Sequence, residues 1–263
     1  MKKIIIYFVV ILFIYGTLRF IYCEFVAPQR WRQLYLPQVA LSENITKRLQ
    51  EKYTYQPKRI YNALDLSHHN VITNISALKQ FDYVYFKATE GGGFQDTTFV
   101  SRIKYCIAEG IPCGAYHFFT TSASGAKQFE NFKNIVPTNL ALIPVLDIEE
   151  NGRKDKNGNY IMEKWTPHKY NKEIKTWIEL CEAHYGVKPI IYTLKNFCDD
   201  YKLSQHNCLY WSGDQERFPM NNCLIHQYRV KNADGFSGLV DHNKSYNIPF
   251  NATSNLISKS LKE

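Results

Sequence analysis

Residues 143–150 read IPVLDIEE, and this run decides the fold. Ile143, Val145, Leu146 and Ile148 make a near-continuous apolar stretch, as expected of a parallel strand buried on both faces. The stretch then breaks into acid at Asp147, Glu149 and Glu150. Comparable runs lie on either side, at 61–66, 83–88, 112–118, 189–192, 209–211, 224–228 and 239–241. Amphipathic helices read between several of them. Asp96 is placed to cap a helix that carries Phe99, Ile103, Cys106 and Ile107 on one face and stops at Gly110. A second helix covers 124–136. The clearest opens with Thr166-Pro167, carries Tyr170, Ile174, Trp177, Ile178, Cys181 and Tyr185 on one face, and stops at Gly186. Strand–helix alternation predicts βαβ units and a parallel sheet. After Tyr192 the strands crowd together, giving about five β/α units followed by strands with short connections.

The chain has 263 residues, is 45% hydrophobic and carries a formal net charge of +8. That composition excludes a disordered chain and suits one large α/β domain. No nucleic-acid motif and no long basic run is present, so the charge reads as a diffuse solvated surface and nucleic acid is not expected as a partner. Seven cysteines are present without Cys-x-x-Cys or Cys/His metal spacing, so no metal or other cofactor is expected. Cys208 and Cys223 are candidates for a disulfide, with buried free thiols as the alternative.

The chain starts MKKIIIYFVVILFIYGTLRFIYCEF. Lys2 and Lys3 precede an apolar segment interrupted only by Arg19. Residues 1–23 are therefore expected to form a transmembrane signal anchor that leaves the remainder outside the cytoplasm, or a cleaved signal peptide. Residues 24–60 read as a stalk and lead-in, and residues 61–263 as the barrel domain. The stretch 151–164, rich in Asn, Gly and Lys, reads as an inserted loop beside Glu149.

In a β/α barrel the C-terminal strand ends face one common mouth. Here the apolar strands finish at Asp65, Glu90, Tyr116 and His117, Asp147 and Glu149, Tyr192, Trp211, Gln227, and Asp241. Asp147 and Glu149 at i and i+2 point to one side, roughly 6–7 Å apart at ~3.3 Å rise per residue. Two acids that close in a partly dry cleft oppose joint ionisation, so one keeps a proton. Glycosidic cleavage needs such an acid, with negative charge near the oxocarbenium-like carbon.

The segments ALDLSHHN, YFKATEG, GAYHFF, PVLDIE, PIIYT, HQY and VDHN occur in the order seen in the glycoside hydrolase family 25 lysozymes, and the chain resembles that family over about residues 61–247. The resemblance implies a (β/α)5β3 TIM-like barrel, here preceded by the N-terminal transmembrane helix. It implies N-acetylmuramidase action on the β-1,4 bond between N-acetylmuramic acid and N-acetylglucosamine in peptidoglycan. By the family pattern Glu149 is the proton donor, Asp147 assists, and Asp65 and Asp241 complete the catalytic set. Glu90, Tyr116, His117, Tyr192, Trp211 and Gln227 match groove positions. His68 and His69 depart from the pattern, which has an aromatic residue there, and Ser212-Gly213-Asp214 departs from the usual sequence after the tryptophan. The alternatives are a chitinase-like hydrolase or a catalytically silent peptidoglycan-binding domain.

Overall fold

The computed structural model describes residues 59–150, 165–214 and 222–251. Eight strands close into a barrel: β1 (Tyr61–Leu66), β3 (Tyr83–Glu90), β5 (Cys113–Phe118), β6 (Val145–Asp147), β7 (Ile190–Thr193), β8 (Tyr210–Ser212), β9 (Cys223–Asn232) and β11 (Leu239–Ser245). The β1–β3 pairing closes the ring. Short β4 (Phe94–Gln95) folds back antiparallel on the end of β3, and β2 (Val71–Ile72) pairs with β10 (Phe236–Ser237). Helices α1 (Phe99–Glu109), α2 (Gly125–Lys133), α3 (Pro167–Tyr185) and α4 (Lys195–Asp200) follow β4, β5, β6 and β7.

The expected parallel barrel with a membrane helix in front requires correction. The sheet is mixed, because β11 runs antiparallel to both β9 and β1. Only residues 233–238 join β9 to β11. A parallel return needs a crossover of a dozen or more residues, so this chain can only double back. The first crossover also holds a 3₁₀ segment, Ile75–Gln80, in place of an α-helix. No helix among the described residues is long and apolar enough to cross a membrane. Residues 1–23, where that helix was expected, the lead-in through residue 58 and the loop 151–164 lie outside the described residues. The membrane helix is withdrawn from the fold. The six cysteines among the described residues are free thiols, Cys208 and Cys223 included.

Strand alternation divides the interior into two cores. Outward residues such as Leu64, Val84, Phe86, Leu146 and Ile191 pack under the helices, against Phe99, Ile103, Phe132, Ile174 and Trp177. Inward residues Tyr61, Ala63, Tyr83, Tyr85, Val145, Ile190, Trp211 and Ile225 fill the barrel. Helix α3 begins and ends where its sequence says. Thr166 caps it by accepting from the Lys169 amide, Pro167 opens it, and Gly186 leaves it at φ 71°.

Candidate active site

The inward alternation carries on past the packed core and delivers polar groups to the mouth. Ala63 faces in, so Asp65 does as well. Val145 faces in, so Asp147 does, and Glu149 follows just beyond the strand end. Asp241 sits near the start of β11. It reaches the same mouth because that strand is antiparallel, placing Asp241 directly opposite Asp65. Asp65, Asp147, Glu149 and Asp241 together line one open cavity of about 300 Å³. Tyr116, Tyr192, Trp211 and Gln227 line it too, with Lys87 and Phe118.

Two carboxylates are held by amide donors. Asn243 Nδ2 donates to Asp65 Oδ2 at 2.7 Å, and Gln227 Nε2 donates to Asp241 Oδ1 at 2.9 Å. Asn243 is itself oriented, its Oδ1 accepting from Trp211 Nε1 at 2.8 Å. Trp211 packs edge-on against Tyr192, ring centroids 5.5 Å apart. Asp147 is buried, and its Oδ1 has no hydrogen-bond partner among the described residues.

Burial and mutual repulsion shape the proton affinities. Burial, then the Glu149 charge, raises Asp147 well above the usual carboxylate range, while the Lys87 cation pulls the other way. Burial and Asp241 raise Glu149. Burial and Asp241 also raise Asp65 well above its ordinary value, against the Asn243 hydrogen bond. Burial raises Asp241. Four acids raised together in one cavity oppose one another's ionisation.

Two expected groove residues, His117 and Glu90, are not among those lining this cavity. His117 follows inward Tyr116 on β5, so it faces the helices. It is fully buried, hydrogen-bonded to Thr89 Oγ1 at 2.7 Å and Gln128 Oε1 at 3.2 Å, and stacked on Trp177. Burial lowers its pKa to about 3, which keeps the ring neutral. Glu90 lines a neighbouring pocket and pairs with Lys87 at 2.7 Å. Lys87 and Glu90 are three residues apart and would face opposite ways on a regular strand. A bulge between Lys87 and Thr89 absorbs one residue and turns both toward the mouth.

Lys87 is the site residue that the strand-end rule missed. It sits three positions before its strand end, 4.7 Å from the Phe118 ring centroid. Gly213 also bears on the site: a Cβ there would stand 2.5 Å from the Tyr192 hydroxyl. The unusual Ser212-Gly213-Asp214 segment therefore makes room for a cavity tyrosine.

The sequence profile of the glycosyl hydrolases family 25 matches residues 64–232, more than half of the chain. The chain belongs to that family. Among solved structures, a family 25 glycosyl hydrolase from Bacillus anthracis is 25% identical with a TM-score of 0.62, covering 73% of this chain and 92% of that one. A bacterial lysozyme from Streptomyces coelicolor shares the fold at 24% identity and a TM-score of 0.63, covering 75% and 98%. Lysozyme M1 of Streptomyces globisporus is 36% identical over 95 residues, 34% of this chain and 32% of that protein. An Escherichia coli protein, YegX, is 28% identical over 171 residues, 62% of this chain. The chain spans 59% of the length of the YegX relatives it matches. The Asp147-Ile148-Glu149 segment and the two further aspartates line a single mouth.

Proposed function

We propose that this family 25 barrel is a muramidase, hydrolysing the β-1,4 bond between N-acetylmuramic acid and N-acetylglucosamine in peptidoglycan outside the cytoplasm. The reading rests on one observation: four carboxylates converge in one open cavity, two of them anchored by amide donors and two without one among the described residues.

The division suggests the roles. Asp65 and Asp241 are the two carboxylates fixed by amide donors, which favour the charged form against the burial that opposes it, and we assign them the negative charge facing the developing oxocarbenium ion. Glu149 is half-buried, has no amide donor among the described residues and has a raised pKa, which suits a general acid. It gives its proton to the glycosidic oxygen as the bond from that oxygen to the sugar carbon breaks. The unpartnered Asp147 Oδ1 is a buried acceptor suited to the N–H of the sugar's 2-acetamido group. Held that way, the acetamido oxygen reaches the anomeric carbon as the leaving group departs. Water, deprotonated by Glu149, then attacks the same carbon and releases the sugar. Half-buried Tyr192 offers its ring to the glycan, backed by buried Trp211.

Digestion of purified peptidoglycan followed by mass spectrometry tests the reading. New reducing ends on N-acetylmuramic acid are expected. Cleavage of chitin oligomers in place of peptidoglycan, or wall binding without new reducing ends, would overturn it.

A further inference from the structure

Beside the carboxylate cavity lies a second pocket, of about 160 Å³. One wall is the turn from β3 to β4, residues 91–93, all glycine; the other carries the hydroxyls of Thr120 and Ser122. The two cavities meet at the Lys87–Glu90 pair: Lys87 lines the first and Glu90 the second.

The pocket is built into the fold. The Gly91 amide donates to the Phe118 carbonyl at 3.1 Å. Buried Asn131 of α2 donates through Nδ2 to the carbonyls of Gly91 and Phe94, at 3.1 and 3.0 Å, and accepts from Gln95. Thr120 and Ser122 hydroxyls are 2.6 Å apart. A Cβ at Gly91 would stand 2.8 Å from Thr120 Oγ1, and one at Gly92 would stand 2.8 Å from Ala123 Cβ. Only glycine lets the two walls approach this closely. At Gly93 a Cβ would meet nothing within 4 Å, which marks the open side.

We propose that this pocket receives the peptide arm carried by the muramic acid, an inference that rests on the muramidase reading above. The muramic acid engaged at the carboxylates bears a lactyl-peptide branch that must leave the first cavity. The adjoining pocket presents two hydroxyls, a carboxylate and, beside the already paired Gly91, the side-chain-free backbone of Gly92 and Gly93, a mixed donor and acceptor lining that matches peptide amides. The Phe94 ring adds an apolar wall. At ~30 Å³ per water, its volume is about that of five waters, or one amino-acid residue. Pinning by Asn131 means little ordering is needed on binding, which favours selectivity.

The test compares kcat/KM of the full chain on size-matched soluble glycan fragments with and without their peptides. The wild-type protein is expected to prefer peptide-bearing fragments by about tenfold, the worth of one or two hydrogen bonds. Gly93→Leu, which projects a side chain at the open side, is expected to bring that ratio near one. Ser122→Leu, an independent change on the opposite wall, is expected to do the same, with thermal unfolding confirming both folds. A wild-type ratio of one, or variants that keep the wild-type ratio, would overturn the peptide subsite while leaving muramidase action standing. A wild-type protein that cuts neither fragment would overturn both readings.

Discussion

On the inward face of β1, β3 and β6, each charged residue at the mouth follows a packed neutral one two positions earlier. Ala63 precedes Asp65, Tyr85 precedes Lys87, and Val145 precedes Asp147. The lower half is satisfied: Tyr83 donates to Ser245 Oγ and Tyr85 to the Ile143 carbonyl, each at 2.9 Å. The upper half gathers four acids around one lysine and leaves Asp147 Oδ1 unpartnered. The same strands thus do two jobs in sequence, and the difference is one layer of side chains. The upper layer works against stability. A carboxylate whose folded pKa is raised draws stability away as pH climbs from its ordinary value through the raised one. The lower layer and the helix-covered outer core must offset that loss.

Substitutions in the two layers should therefore part company. Glu149→Gln should lower kcat on peptidoglycan by about 100-fold or more, the usual worth of a general acid, while the unfolding midpoint holds or rises. Retained turnover would remove Glu149 from the chemistry and blur the division. Tyr85→Phe, one layer down, should do the reverse at smaller scale. It strands the Ile143 carbonyl and should cost about 1–2 kcal/mol in denaturant unfolding, with wild-type kcat. A large loss of activity without a loss of stability would show that the lower layer belongs to the site.

What the sequence disclosed follows the same boundary. Each carboxylate was legible because an apolar run breaks into acid at the mouth, and α3 was legible because cap, proline and glycine all agree. The misses come from geometry that no local pattern carries. The sequence groups His117 with Tyr116 at one strand end, although alternation lets only one of two neighbours face inward. The β3 bulge, which turns Lys87 and Glu90 the same way, has no signature in KATEG. Asp241 was placed at a strand end, whereas it lies near the start of an antiparallel strand running to Ser245. Asp96, read as a helix cap, sits further ahead: Thr98 occupies the N-cap position of α1. The Asp96 carboxylate accepts from the Thr98 amide and hydroxyl and from the His68 amide. It ties the loop after β1 to the start of the helix.

The most direct test is a carbon-13 NMR titration of side-chain carboxyls in the wild-type protein, with Asp65, Asp147, Glu149 and Asp241 assigned by single amide substitutions. Titration of Glu149 and Asp147 above the ordinary carboxylate range, each moved when the other is made neutral, is the predicted result. Four carboxyls that all ionise independently at ordinary values would contradict the shared-proton cavity, and the acid role of Glu149 with it.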